Sequence, residues 1–523
     1  MLFNSFEFIF IFLPITFILY YLIAKQNWDR IAVAWLVLAS LFFYAWWNPS
    51  YLILIIFSML FNYSMGVVIA RLGNARSSKL FLVIGVSINL ALLGYFKYTN
   101  FIVEQINWAL GNSFHLEKII LPLAISFFTF QQIAYLVDTY RHETKEYNFS
   151  HYCLFVTFFP QLIAGPIVHH KEMLPQFSNA LTSRVNSRNM SIGLTIFTIG
   201  LFKKVILADN VALSATPIFD AAGKGAAITF FEAWGGAIAY TLQLYFDFSG
   251  YSDMAIGIAF MFGIQLPINF NSPYKAVSII DFWRRWHITL SRFLRDYLYI
   301  ALGGNRHGNT RRYLNLFLTM LLGGIWHGAG WTFIVWGMLH GSYLMINHGW
   351  RKLRKDVLNW SDNIPLWEHV TARIITLLAV IVGWVYFRAE TLAGANHMIA
   401  TMTGFNGLSL PQSMQSIFGS YAANLSDVGV IFEGMFGGYK ANFVEGIVWI
   451  IALTPIALFA PNSMQIANGL FSLNLGQLTV NTYHRIKPNH TATLNYIAWL
   501  AGVTFGIIIL NLFKVSEFLY FQF

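Results

Sequence analysis

Charge is what this 523-residue chain has least of. Only 11% of its residues are Asp, Glu, Lys or Arg, against roughly 25% in a soluble globular protein. Mean hydropathy is +0.56, and apolar runs of about 20 residues recur along the chain, long enough to cross a bilayer. Cysteine is nearly absent. Cys153 alone excludes an intramolecular disulfide framework and any cysteine metal cluster. Acidic residues are also short, 23 against 33 Lys and Arg, for a formal charge of +10. The basic residues sit in short loops between apolar runs. Their meaning there is cytoplasmic orientation and contact with anionic lipid headgroups rather than nucleic-acid binding. The opening Met1-Leu2-Phe3-Asn4-Ser5-Phe6-Glu7 has no basic stretch, and no small-residue cleavage site follows. The first apolar run therefore reads as an uncleaved transmembrane helix. Residues 1–523 contain no internal repeat or soluble insert and read as a single integral-membrane domain.

What is present is an all-α pattern with roughly eleven to twelve crossings plus re-entrant and interfacial helices. Lys25 and Arg30 flank the first loop, and Arg71, Arg76 and Lys79 the third, while the corner Trp47-Asn48-Pro49-Ser50 between them is uncharged. The N-terminus is thus expected outside the cytoplasm. The segment 150–168 breaks this alternation. Arg141 and Lys145 precede it and Lys171, Arg184 and Arg188 follow it, so one crossing cannot join its ends. It also holds Pro160 and Pro166, which predict a broken, re-entrant element. Residues 389–442 carry few, mostly acidic charges and read as an extracytoplasmic loop.

Residues 281–300 fit a helical wheel with one apolar arc, from Phe282 and Phe293 round to His287 and Leu298. Arg284, Arg285, Arg292 and Arg295 fill the opposite arc. This predicts one helix lying in the membrane interface, and seven arginines between 284 and 312 put it on the cytoplasmic side. His287 falls near the edge of the apolar arc, either satisfied structurally or lining a cavity mouth.

The second histidine is set in Gly323-Gly324-Ile325-Trp326-His327-Gly328-Ala329-Gly330-Trp331. An ionisable side chain in hydrocarbon asks for a functional explanation, and imidazole can pass a proton at neutral pH. Trp326 and Trp331 supply apolar walls, and the glycines allow close backbone approach, for a catalytic throat or for simple helix packing. Asp247 and Asp253, six residues apart about an expected helix break at Gly250, can orient a histidine or a substrate, or merely pair with arginines. Lys203 and Lys204, within an apolar run, are explained by snorkelling. His169-His170 are adjacent and would not share a helix face, and no metal-ligand spacing appears, so no metal is expected.

Several of these stretches, in order, resemble the membrane-bound O-acyltransferases, in particular the bacterial alginate O-acetyltransferase branch. They are Phe158-Phe159-Pro160-Gln161-Leu162-Ile163-Ala164-Gly165-Pro166-Ile167, then residues 245–253, then Asp281-Phe282-Trp283-Arg284-Arg285-Trp286-His287, and Gly324-Ile325-Trp326-His327-Gly328-Ala329-Gly330-Trp331. The family core spans approximately 119–350. The resemblance implies a ring of helices around a central funnel or tunnel, with the family's catalytic histidine at His327 and its second histidine at His287. It implies a bacterial inner-membrane enzyme that takes an acyl group from a cytoplasmic thioester, either acetyl-CoA or a phosphopantetheine carrier protein, with acetyl-CoA the expected donor and no bound cofactor. Arg284, Arg285, Trp326, Asp247 and Asp253 are the candidate donor- or substrate-binding residues. The implied partners are membrane lipids, an extracytoplasmic acyl-accepting transferase and a polysaccharide as final acceptor. The competing reading is a transporter or flippase that uses the histidines as a proton relay.

Overall fold

A computed structural model describes residues 1–471, apart from 74, 112–113, 144–147, 178–184, 360–364, 411 and 433–442, together with 502, 504–511, 518 and 519. Most of the apolar run at 493–513 and the tip of the 389–442 loop lie outside the described residues. Helices make up almost everything that is described. The strands Leu408–Ser409 (β1) and Val430–Ile431 (β2) pair in parallel over two residues each. The protein is an all-α polytopic membrane protein. Five described helical stretches are long and apolar enough to cross a membrane: Phe8–Lys25, Tyr51–Leu72, Arg76–Leu110, Ser187–Gly223 and Leu366–Arg388. Other long helices carry more polar residues, so the eleven to twelve crossings suggested by sequence exceed what length and composition alone certify.

The chain divides into two compact units that interleave in sequence. The first comprises residues 1–202, 249–269 and 462–522, the second 203–248 and 270–461.

The first unit contains α1 (Leu13–Lys25), α2 (Asp29–Ala45), α3 (Tyr51–Leu72), α4 (Arg76–Leu110) and α5 (Ile125–Tyr140). It continues with the short α6 (Phe149–Thr157), α7 (Phe159–Leu162) and α8 (His170–Phe177), then α9 (Ser187–Phe202). Polar side chains tie α3 to α4, where Asn62 and Asn89 exchange amide hydrogen bonds of 3.2 and 2.6 Å. Such bonds substitute for the hydrophobic drive that lipid removes. The segment 150–168 is broken as the prolines require. Helix α6 stops at Thr157, and Pro160 sits in the first turn of the four-residue α7. Broken backbone inside a membrane must be satisfied by protein. Here the Phe159 N–H donates to Ser40 Oγ of α2 at 3.2 Å, and Gln161 Nε2 donates to the Phe155 carbonyl at 2.7 Å. A cluster of Phe8, Phe12, Phe43 and Phe159 packs over the break.

The second unit begins with a π-helical turn, Lys203–Ala208, which runs into α10 (Asp209–Gly223). Helix α11 (Phe230–Met261) follows, and its residues are shared between the units. The expected break at Gly250 does not occur, since α11 is continuous for 32 residues. Gly250 serves close packing within the first unit instead. A Cβ on Gly200 would stand 2.6 Å from the Gly250 carbonyl, and one on Gly193 2.5 Å from that of Gly257. The remaining described helices of the second unit are α12 (Ile279–Trp283), α13 (Ile288–Phe293), α14 (Gly308–His327), α15 (Trp331–Asp356), α16 (Leu366–Arg388), α17 (Leu392–Met402), α18 (Gln412–Phe418), α19 (Tyr421–Asp427) and α20 (Phe443–Phe459).

Helices α14 and α15 form the tightest hairpin. A Cβ on Gly324 would meet the Phe333 carbonyl at 2.4 Å, and one on Gly337 the Met320 carbonyl at 2.7 Å. At its other end, Arg354 of α15 pairs with Glu368 of α16 at 2.5 Å. The arginine-aromatic stretch is not one helix. It breaks between α12 and α13, where His287 takes a left-handed φ of +41°, and a π-helical turn follows at Leu294–Tyr299.

Candidate active site

His327 is the last residue of α14. Gly328 and Gly330 continue in extended conformation before α15 begins. A side chain at 328 would collide with the Phe333 ring, its Cβ 2.1 Å away. The glycines therefore fold the chain tightly past the imidazole, which is 7% exposed. Three aromatic rings enclose it. Trp326 lies at 4.8 Å between centroids, Trp336 at 5.0 Å and Phe387 at 5.2 Å, all edge-on. An edge-on ring presents its positive rim to the π-face it meets and makes no hydrogen bond to the imidazole nitrogens. The cage fixes the orientation of the ring at the end of the helix.

A third histidine, not expected from sequence, stands one ring further in. His340 of α15 is fully buried, 4.9 Å from Trp336 and 5.2 Å from Trp283. Trp283 Nε1–H donates to His340 Nδ1 at 3.3 Å. Indole nitrogen only donates, so Nδ1 is the acceptor and the imidazole proton sits on Nε2. That Nε2 has no hydrogen-bond partner among the described residues and faces Gly383, where a Cβ would lie 2.7 Å away. Trp384 completes the wall, stacked on Trp336 at 6.1 Å and packed on Trp286 at 4.8 Å. The segment Gly337-Met338-Leu339-His340-Gly341 repeats the glycine-flanked histidine of 327 inside an apolar helix, and the rule that intramembrane histidines need explaining would have found it.

The other sequence candidates distribute as follows. His287 is 1% exposed and perpendicular to Phe248 at 4.8 Å. Burial pushes its pKa down to about 3, so it is neutral at physiological pH and can orient or accept but not balance a phosphate. Its left-handed backbone is the kind of strain that collects at functional sites. Arg285 is tied to Asp281 at 2.8 Å, its backbone also bonded to Asn271. Arg284 is exposed. It acts together with Arg312 and Arg351 on His348, which Arg312 also bonds at 3.2 Å. This cationic cluster lies where α14 begins and α15 ends. Along α14, Arg312 and His327 are separated by ~22 Å at 1.5 Å per residue.

Asp247 and Asp253 do not meet in one site. Six residues turn a helix through roughly 600°, which leaves the two side chains about 120° apart. Asp247 pairs with Lys204 at 2.7 Å in the second unit, while Asp253 accepts from the Ser463 hydroxyl at 2.5 Å in the first. The snorkelling expected of the lysine pair is not found. Lys204 is buried and also bonds Asp209 at 2.8 Å, and Lys203 lies over the Tyr245 ring at 5.9 Å. The π-helical turn supplies the reason, because it re-aims both side chains into the protein. Among the described residues no group of three or more His, Cys, Asp or Glu has the arrangement of a metal site.

The chain is thus a polytopic all-α membrane protein with a histidine caged at one end of α14 and a cationic cluster at the other. Residues 113–387, more than half the chain, match the membrane-bound O-acyltransferase family. The chain belongs to that family. It is 48% identical to a peptidoglycan O-acetyltransferase of Helicobacter pylori over 78% of this chain and 81% of that one. It is 44% identical to a probable alginate O-acetylase of Pseudomonas putida, over 79% and 82%. A teichoic acid D-alanyltransferase of Bacillus subtilis is 28% identical over 52% of this chain and 70% of its own length. The family match takes in every member of the cage, from Trp283 to Phe387.

Proposed function

We propose that this enzyme moves an acetyl group from a cytoplasmic thioester to O-acetylate a bacterial polysaccharide outside the cytoplasmic membrane, through an extracytoplasmic partner protein. Acetyl-CoA is the donor and the acceptor polymer is of the alginate or peptidoglycan type, as the names of the relatives suggest. The observation that carries the reading is His327, buried in an aromatic cage at the end of α14 remote from the arginines. A hydroxyl cannot attack a thioester well until its proton leaves, and a positioned imidazole removes it during attack. The new C–O bond forms as the C–S bond breaks, and the imidazolium returns the proton to the departing thiolate. The separation of ~22 Å along α14 suits an extended phosphopantetheine arm, its phosphates at Arg284, Arg312 and Arg351 and its thioester at His327. Neutral His287 orients the donor, and Trp326 with its neighbours keeps water from the thioester. Asp247 and Asp253, occupied elsewhere, take no part.

In this reading the arginines face the cytoplasm across a bacterial inner membrane and the N-terminus lies outside, which the distribution of basic loops supports. The test is to supply [14C]acetyl-CoA to the full-length protein in nanodiscs with a soluble polysaccharide and the partner transferase. Label should enter alkali-labile ester with wild type and not with His327→Ala. Polymer movement without ester formation would instead establish transport.

A further inference from the structure

Helices α1 and α9 belong to two of the described apolar spans, Phe8–Lys25 and Ser187–Gly223, and they leave a channel between them within the first unit. Its volume is about 540 Å3, inside the ~300–1,000 Å3 typical of small-ligand sites. It follows the first span from Ile9 to Ile18, ~14 Å at 1.5 Å per residue, so it is elongated rather than round. Leu13 and Phe17 line it from one helix, Leu194 and Phe197 from the other, Met261 from the end of α11, and Phe471 from α21 (Ser463–Phe471). Ser191 and Thr195 also border it, but their hydroxyls turn back to α9 carbonyls, those of Ser187 at 3.0 Å and Ser191 at 2.8 Å. Phe10, Ile18 and Leu194 line the channel and are exposed as well. Its open side is therefore the side that these spans turn to hydrocarbon, where no water competes.

One end of the channel is cationic. Gly193 of α9 packs against Gly257 and Met261 of α11, and Gly200 against Gly250 and Met254. The two helices thus run antiparallel, and α11 finishes level with the start of α9. Tyr21, near the end of α1, donates its hydroxyl to the Met261 carbonyl at 2.9 Å. Arg188 lies five residues before Gly193 and Lys25 four residues after Tyr21, which puts both cations beyond Met261 at the same end. Arg188 is anchored there, because Nη2 donates at 3.0 Å to the carbonyl of Phe471, a residue of the channel wall. Lys25 is exposed. An elongated apolar channel, open to lipid and cationic at one end, matches an alkyl chain joined to an anion.

We infer that this channel holds one acyl chain of an anionic phospholipid, whose phosphate is met by Arg188 and Lys25. The chain fills the space that the two spans leave open, and the guanidinium binds a phosphate oxygen by a charge-assisted hydrogen bond. The lipid is then part of the contact between α1 and α9. No thioester, acceptor or His327 enters this site, so its test stands apart from acyl transfer. The full-length protein, stripped of lipid in detergent, is titrated with dioleoylphosphatidylglycerol and with zwitterionic dioleoylphosphatidylcholine, and native mass spectrometry follows the first lipid bound. The first phosphatidylglycerol should bind at least ten-fold more tightly than the first phosphatidylcholine. It should also raise the thermal midpoint, since a ligand of the folded state stabilises that state. Leu194→Trp, which fills the channel from an exposed position, should weaken this first event ten-fold or more. Arg188→Gln should bring phosphatidylglycerol down to the affinity of phosphatidylcholine, and Lys25→Gln should do so in part. Lipid-free melting midpoints identify misfolding, and Leu194→Trp with Lys25→Gln carries the test if Arg188→Gln does not fold. Equal first-site affinity for the two lipids, or a first phosphatidylglycerol indifferent to Leu194→Trp or to the loss of the cations, would overturn the site.

Discussion

Side chains that the membrane would reject are kept here by specific partners, and each partnership sets a measurable cost. Lys204, at 2% exposure, has two carboxylates, Asp247 and Asp209, within 2.8 Å. Lys204→Met leaves Asp247 buried without its cation, which costs about 3–5 kcal/mol. The loss should appear as a lower thermal midpoint in detergent, partly recovered in Lys204→Met/Asp247→Asn. An unchanged midpoint would mean the pair is not buried as described. The bond from Trp283 to His340 is smaller. Trp283→Phe keeps the ring and removes one neutral hydrogen bond, worth about 0.5–1.5 kcal/mol, so stability should fall only slightly. None of these partnerships is readable from a residue and its neighbours in sequence. Lys204 and Asp247 are 43 positions apart, and an apolar context alone makes the lysine look like one that reaches for the headgroups.

Among the elements, the α14–α15 hairpin matters most because it presents His327. Its packing depends on Gly324 and Gly337 offering no side chain at the contact. Gly324→Ala puts a methyl 2.4 Å from the Phe333 carbonyl, an overpacking that costs about 1–3 kcal/mol. Gly349→Ala, on the same helix pair but with nothing within 4 Å, is the control and should be neutral or slightly stabilising. A thermal melt of the two variants separates close packing from generic glycine effects. The sequence carried part of this level well. The glycine frame of His327 and the prolines of 158–167 act through local backbone rules, and both breaks are where those rules put them. It misled at Gly250 and at His287. Glycine in a membrane helix is as often a packing surface as a break, and α11 uses it for the former. The arginine-aromatic stretch has a good helical wheel, and nothing local marks histidine, rather than glycine or asparagine, as the left-handed residue.

At the scale of the whole molecule, α14 connects two chemistries. Arginines gather at its start, and the caged histidine closes its end. The class of fold and the family were legible in composition and in ordered motifs, because burying helices in lipid leaves a composition no soluble chain has. His340, Trp336, Trp384 and Phe387 were not, because they reach the site from helices distant in sequence. The measurement that bears most directly on His327 as the acyl-transfer base is ester-linked acetate on surface polysaccharides, in wild-type and His327→Ala cells with equal amounts of inserted protein. Removal of a general base lowers rate by ~10²–10⁴-fold, so acetate should vanish from one polymer in the variant and remain on the others. Acetate persisting at wild-type levels on every polymer would contradict the assignment.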